Sequence, residues 1–468
     1  MKQKKDGTKQ KWVGFVLAAI SFVLGMVLDI EGLGAQGTMA LFTLVGGVCL
    51  WVCGTFPLAI SGLLCMLVLI VTGTGTANEV VGNFMNTAVL FLIYCFTFGT
   101  VFKKTSISKK AVGAVLRLSK GNSKTIVLGF MMVSCIISFF MHNLTVIAIM
   151  MPIGVGILES LEQEKIKSNL GKCLMIGLPV AAMVGGAGTP IGASMNVLLI
   201  GMVESMTGQV VNFGQWTFMA APLTIVCTWA SYFALTRIYR PEKLDPEKTA
   251  ILVAEFDALP ATTSREKLTL FVLVASVVLM ILGTWVPVLT ILNVGLGFLV
   301  IVTFPGINLV TWKEIVEDVS WETFVMFGSV NALVGTLLAT GAVDWLASIL
   351  SASIGGLPAF VILLLFGLIT QVLHALCPVG TALAAMVFPA FAAIAVATGA
   401  FPVSVVALIL GFGFGVQYII PINLPFLITL GTGYWNTKHS IAPGLFPAVV
   451  MVVLMAIWFP ISCGIVGL

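Results

Sequence analysis

Charge is what this sequence has least of. Only 9% of its 468 residues are Asp, Glu, Lys or Arg, while 59% are hydrophobic. Soluble globular chains carry about a quarter charged residues, and a larger core does not account for the deficit. Lipid contact does, because lipid-facing positions also take apolar side chains. The length suits one membrane body of roughly ten to twelve spans. The net charge of +4 is small and the basic residues sit in loops, which is topology information and excludes a nucleic-acid partner.

Acids are missing from particular places. None occurs between Glu79 and Glu159, and none after Asp344. Intramembrane acids are common proton relays, so proton coupling has little to work with there. Histidine is scarce too: His142, His374 and His439 do not space as metal ligands, and no deep acid pair exists. Both absences argue against a membrane-embedded enzyme, and the lack of charged rings argues against a channel. The nine cysteines are an odd number and lie mostly in apolar runs, which reads as small buried thiols.

What is present is a set of long apolar runs. Spans fall near 13–29, 37–53, 56–72, 86–102, 173–206, 214–238, 268–286, 289–308, 322–344, 401–433 and 442–464. The basic N-terminus places that end in the cytoplasm by the positive-inside rule. Residues 125–158 are apolar, with lysines on both flanks, so this segment enters and leaves on the same side. His142-Asn143-Leu144-Thr145 sits at its middle, which favours a re-entrant hairpin. Residues 355–398 repeat the pattern around Cys377-Pro378-Val379-Gly380-Thr381, in a stretch with no Lys or Arg between Lys313 and Lys438. That second hairpin therefore belongs to the outer face. Hairpins entering from opposite sides are the signature of inverted repeats.

The fold class this implies is an all-α integral membrane protein, with about 11 transmembrane helices and two re-entrant hairpins in inverted repeats. Residues 1–85 are N-terminal scaffold spans, and 86–238 the first repeat. The mixed-charge linker 239–267 is cytoplasmic, and 268–468 form the second repeat. The C-terminus then lies outside, and the membrane is the cell's inner (plasma) membrane.

Each hairpin is followed by a long apolar segment broken at its middle. The first break runs from Gly185 to Asn196 and the second from Gln417 to Pro425. Unwound backbone at membrane depth is tolerated where it is buried in protein or lines a cavity. Matched interrupted segments are the best sequence pointer to a transport site. Helix N-termini there suit an anion, and freed carbonyls suit a small cation such as sodium. Close helix packing is the competing reading of the glycines. His142 is a candidate for contact with the site. His374, Gln371, Gln417 and Tyr418 read first as structural.

The chain resembles the divalent anion:sodium symporter family, within the ion transporter superfamily. The likeness is strongest in Ser138-Phe-Phe-Met-His142-Asn143 to Met150-Met151-Pro152, in Gly185 to Asn196, and in Gly431-Thr432-Gly433-Tyr434-Trp435. The resemblance implies a scaffold domain, a mobile transport domain, a homodimer and an elevator mechanism. It also implies sodium-coupled carriage of a small carboxylate-class anion. A sodium-independent exchanger or a proton-coupled permease of the same superfamily is the alternative.

Carried over by residue, the first sodium site takes Ser138, His142, Asn143 and Gly192. The second takes Ala375, Pro378, Val379, Gly380 and Asn423. Substrate would lie between Asn143, Leu144, Ala193, Thr381, Leu424 and Pro425, with Thr145 in the same tip. The family's hairpin tips read Ser-Asn-Thr. Here the triplets are His142-Asn143-Leu144 and Val379-Gly380-Thr381, so only Asn143 and Thr381 remain. Leu144, Ala193, Leu424 and Pro425 make that pocket apolar, which suits a monocarboxylate or an anion with an apolar body.

Overall fold

The structure is a computed structural model. It describes residues 2–354, 356–377 and 379–468, with side chains at 8–349, 356–377 and 379–468. Pro378 and the first residue of the second hairpin, 355, lie outside the described residues. Among the described residues the chain is all helix, without a strand.

The chain opens with α1 (Lys2–Val27), α2 (Gly34–Val52) and α3 (Leu58–Val71). A short α4 (Ala77–Phe84) leads into α5 (Thr87–Lys103), followed by α6 (Ile107–Ser119). Then come the paired helices α7 (Ser123–Ser138) and α8 (Asn143–Ser160). The broken segment α9 (Asn169–Gly186) and α10 (Ser194–Thr207) precedes the long α11 (Phe213–Tyr239). After α12 (Pro246–Asp257) come α13 (Ser264–Leu282) and α14 (Ile291–Thr303). The order then recurs: short α15 (Trp312–Asp318), α16 (Trp321–Ala339), α17 (Ala342–Ile354), and paired α18 (Ala359–Leu376) and α19 (Gly380–Thr398). The second broken segment, α20 (Val403–Gly415) and α21 (Leu424–Leu430), precedes the long α22 (Thr437–Val466).

Local chemistry fixes several of these starts. Thr76 and Glu79 form a capping box at α4, and Thr311 and Glu314 form one at α15. In each box the threonine side chain serves a backbone N–H while the glutamate reaches back to the first residue's N–H. The two segments match in sequence, Thr76-Ala-Asn-Glu79-Val-Val against Thr311-Trp-Lys-Glu314-Ile-Val, and each precedes the helix that opens one of the recurring runs. Asn86 and Ser320 then cap α5 and α16.

Ten stretches are long and apolar enough to cross a bilayer among the described residues. Three of them, α8, α18 and α19, are arms of the helical pairs. The seven that remain, with α3, α13, α14 and α20–α21, coincide with the eleven spans that hydropathy indicates. The charged segments are more ordered than expected. The linker 239–267 carries α12, capped by Asp245, and the basic stretch after Lys103 forms α6. The two helices meet, α12 packing on α6.

Candidate functional site

Each helical pair delivers its tip to the middle of the broken segment that follows it. Ser138, the last residue of α7, is fully buried. Its hydroxyl lies 2.6 Å from the carbonyl oxygen of Ala182 on α9 and 3.1 Å from Oδ1 of Asn143. Thr189, inside the first break, donates its hydroxyl to the carbonyl of Phe139 at the tip. The break lies midway along α9–α10, so the tip stands at mid-depth in the helical body.

The close approach explains one glycine. A Cβ on Gly186 would run into the Asn143 side chain. Glycine alone lets the tip amide lie against α9. Asn196 holds the break open. It is fully buried, and Nδ2 donates to the carbonyls of Gly186 and Thr189, both at 2.8 Å. Asn196 Oδ1 has no partner among the described residues. An Asn inside a glycine-rich apolar run is a readable signal, although Asn196, Ala182 and Gly186 were not among the expected site residues.

The second pair meets its own break in the same manner. Gln371 donates to the carbonyl of Gly413 at 3.0 Å, and Gln417 to that of His374 at 3.1 Å. Both glutamines are structural ties, as their positions suggest. Gly380 at the tip sits where a Cβ would strike the carbonyl of Phe414. The two breaks also adjoin each other, because α20 packs on α10 and α21 on α9. Asn423 links them directly, its Nδ2 lying 3.0 Å from the sulfur of Met183.

The expected ligands divide accordingly. Ser138, Asn143 and Gly192 come together at the first tip, and a Cβ on Gly192 would press on the Ser138 carbonyl. His142 also caps α8: its Nδ1 accepts the Leu144 N–H at 3.4 Å. That nitrogen is turned toward its own helix. At the second tip Val379 and Gly380 offer backbone alone. Asn423 Oδ1 caps α21 by accepting the Phe426 N–H at 3.4 Å. Its bonds run to α9 and its own helix, so the second set is not drawn together by hydrogen bonds among the described residues. Ala375 is half-buried.

The expected substrate residues share a different property. Asn143, Leu144, Thr145, Ala193, Thr381 and Pro425 are half-buried, and Leu424 is exposed, whereas Ser138, Gly192 and Asn423 are buried. Asn143 Nδ2 and the hydroxyls of Thr145, Ser194 and Thr381 have no hydrogen-bond partner among the described residues. The N-termini of α10 and α19 lack side-chain caps. Free donors and positive helix ends without a Lys or Arg can hold a single delocalised negative charge.

The first cluster has a further consequence. A serine hydroxyl has one proton to give. That one proton is shared between the Ala182 carbonyl and Asn143 Oδ1, so three oxygens gather around the Ser138 hydroxyl with lone pairs to spare. Oxygens gathered in this way are the kind of ligand that holds a small hard cation.

Two solved membrane transporters share the fold. MtrF of Neisseria gonorrhoeae, described as illuminating a class of antimetabolite efflux pumps, aligns with a TM-score of 0.58 at 16% identity over 97% of each chain. The YdaH transporter of Alcanivorax borkumensis aligns at 0.55 and 14% identity over 98% of each. The fold is thus one that these two membrane transporters share. More particularly, the chain belongs to the citrate transporter family, whose sequence pattern matches residues 48–410. It is also 23% identical to the sodium-dependent dicarboxylate transporter SdcS of Staphylococcus saprophyticus over 485 residues, covering 98% of this chain and 93% of that one. The Staphylococcus aureus protein of the same name is 23% identical over 494 residues, covering 99% and 94%. Membership in a transporter family is consistent with a chain that is not an enzyme.

Proposed function

We propose that the protein is a secondary active transporter of a small organic anion of the carboxylate class, coupled to sodium and working by elevator-type alternating access. The observation that carries this reading is the Ser138–Asn143–Ala182 cluster. It gathers the oxygens of Ser138, Asn143 and Ala182 at the first tip, beside the free donors Asn143 Nδ2 and Thr145. Cation and anion would occupy adjoining positions, the cation on the buried oxygens and the anion on the half-buried donors. Binding of one then favours the other, which is the thermodynamic basis of coupling.

The surroundings favour one carboxylate rather than two. Leu144, Ala193, Leu424 and Pro425 contribute apolar surface, and no basic side chain meets a second charge. A monocarboxylate or an anion with an apolar body fits. Sodium dependence in the relatives' names supports sodium as the driving ion. The recurring order of helices, α5–α11 against α16–α22, supports inverted repeats within 86–238 and 268–468, with α13 and α14 leading into the second, after a scaffold in 1–85 and around the linker 239–267. In this reading the pairs and breaks form the moving body and a homodimer supplies the fixed frame. The N-terminus is cytoplasmic and the C-terminus outside, in the plasma membrane.

The alternative, sodium-independent exchange or proton coupling, is favoured at one point. The second tip has lost both side-chain oxygens at Val379 and Gly380. Uptake into proteoliposomes under sodium, potassium or pH gradients separates the readings. Uptake that ignores sodium overturns the symport. A thermal-shift screen against monocarboxylates, dicarboxylates, sulfate and phosphate, with and without sodium, identifies the anion class.

A further inference from the structure

We propose that the seam between α5, α6 and α13 binds an anionic phospholipid. Its phosphate headgroup would sit in a basic cleft at one end of the bundle, and its acyl chain in an apolar slot that reaches the tip of the first helical pair. The cleft has a volume of about 530 Å³, and Lys103, Lys104, Ser108, Lys109, Arg265 and Glu266 are among its lining residues. The slot, about 230 Å³, is lined by Phe98, Phe102, Ile107, Phe140 and apolar residues of α13.

The two cavities are one seam. Along α13, Glu266 and Thr269 face the cleft, while Leu270, Leu273 and Val277 face the slot. Residues three and four apart lie on one helical face. On α5, Val101 lines the cleft while Phe98 and Phe102 line the slot. A charged head and a hydrocarbon tail joined end to end match this order.

Charge in the cleft is not balanced. Lys103 pairs with Asp318 at 3.1 Å and Lys104 with Glu314 at 2.7 Å. Lys110, close by, donates to Thr262 at 2.8 Å and lies 3.9 Å from Glu266. Glu266, the one acid lining the cleft, already accepts the Ser106 N–H. Lys109 and Arg265 have no carboxylate partner among the described residues, although Arg265 donates to the carbonyl of Asn308 at 2.7 Å. Two uncompensated cations suit a phosphate diester. Basic pockets between membrane helices are recognised seats for such headgroups.

The slot decides for a lipid over a free anion. No polar side chain lines it, and Val274 on its rim is 60% exposed. A soluble phosphate would fill the cleft and leave the slot. The bound chain would lie against α5 and α13 on one side and against Ile107 and Phe140 on the other. Phe140 already stacks on Phe98, ring centres 6.1 Å apart. The lipid therefore wedges the first tip against α5 and steadies the arrangement seen here. None of this depends on which anion is transported.

Native mass spectrometry of the purified full chain, titrated with phosphatidylglycerol or phosphatidylcholine, tests the site. Phosphatidylglycerol binds more tightly, and Lys109→Gln with Arg265→Gln weakens it roughly 30-fold, at about fivefold per cation removed. Phosphatidylcholine is little affected by that pair. Val274→Trp, which fills the slot, weakens both lipids and provides a second variant with the charges intact. Added phosphatidylglycerol raises the thermal midpoint of the wild type, and inorganic phosphate does not. Unchanged phosphatidylglycerol affinity in the charge variant overturns the proposal. So does protection by inorganic phosphate equal to that of the lipid, which would place a soluble anion in the cleft.

Discussion

Ser138 Oγ stands 3.1 Å from Asn143 Oδ1 at the first tip and 2.6 Å from the carbonyl oxygen of Ala182. The two residues are five apart, on either side of the turn that joins α7 to α8. Their oxygens face each other because the helices on both sides are fixed, one by α9 and the other by its own cap.

That geometry predicts a sodium-dependent thermal shift that Asn143→Ala abolishes. Ser138→Ala removes one cation ligand and the hydroxyl's bond to the Ala182 carbonyl, a loss of about 0.5–1.5 kcal/mol. Sodium should then no longer raise the midpoint above its value in potassium. A sodium shift that persists in Asn143→Ala shows that the cation lies elsewhere.

Gly186→Ala should damage the site while leaving the fold. The added methyl meets the Asn143 amide, and forcing extra volume into a packed interior costs about 1–3 kcal/mol. Gly156→Ala, on α8 with open space around its Cβ, is the matched comparison. It should be neutral or slightly stabilising, because alanine is the better helix former. Uptake lost in the first and kept in the second ties the tip to transport. Equal behaviour of the two removes that tie.

Stability at low pH should follow the capping glutamates. The Lys104 side chain and the Thr311 N–H push Glu314 down to about 2, and Ser106 holds Glu266 below the usual carboxylate range. A lowered carboxyl contributes stability above its unfolded value and loses it as pH falls. For Glu314 the loss spans about 4.5 down to about 2, so thermal midpoints should fall across that window. Glu314→Gln should flatten the decline and lower the midpoint at neutral pH. An unchanged acid profile in that variant assigns the decline to other groups.

Much of this was written in the sequence, and for identifiable reasons. Lysines at both flanks of 125–158 and the glycine run at 185–192 reveal the first pair and break without any contact information. The short helices were harder. α6 and α12 lie in charged segments that resemble loops, although the capping boxes at Thr76 and Thr311 follow a readable Thr-x-x-Glu rule. The ligand sets were only half legible. Ser138 and Asn143 are near in sequence and meet as expected. The bond from Leu144 to His142 Nδ1 was not legible, because nothing local distinguishes a cap from a ligand. Gly380 needed Phe414, 34 positions on, to explain it.

Glu204 is the acid nearest the first break, and Thr87 of α5 donates to its carboxylate at 2.8 Å. The contact joins α5 to α10 rather than lining the tip. Glu204→Gln should therefore keep uptake and its sodium dependence, with a stability loss of about 1–2 kcal/mol for weakening a hydrogen bond to a charged acceptor. If the carrier were proton-driven through this group, the same variant would lose its response to a pH gradient. Uptake in acid-inside and acid-outside vesicles distinguishes these outcomes.

The second tip offers the sharpest contrast between neighbouring positions. Restoring the family triplet at Val379-Gly380-Thr381 requires Ser at 379 and Asn at 380. Val379 is half-buried, so Val379→Ser exchanges an apolar branch for a hydroxyl without crowding. Gly380→Asn must place a Cβ against the carbonyl of Phe414, and backbone cannot retreat as a flexible side chain can. Val379→Ser should fold normally and strengthen the sodium dependence of uptake by adding a side-chain oxygen. Gly380→Asn should lower the thermal midpoint by several degrees, alone or combined. If both fold equally well, the Gly380–Phe414 approach is not what keeps this tip from the family pattern. If Val379→Ser leaves the sodium response unchanged, the second set is not a cation site.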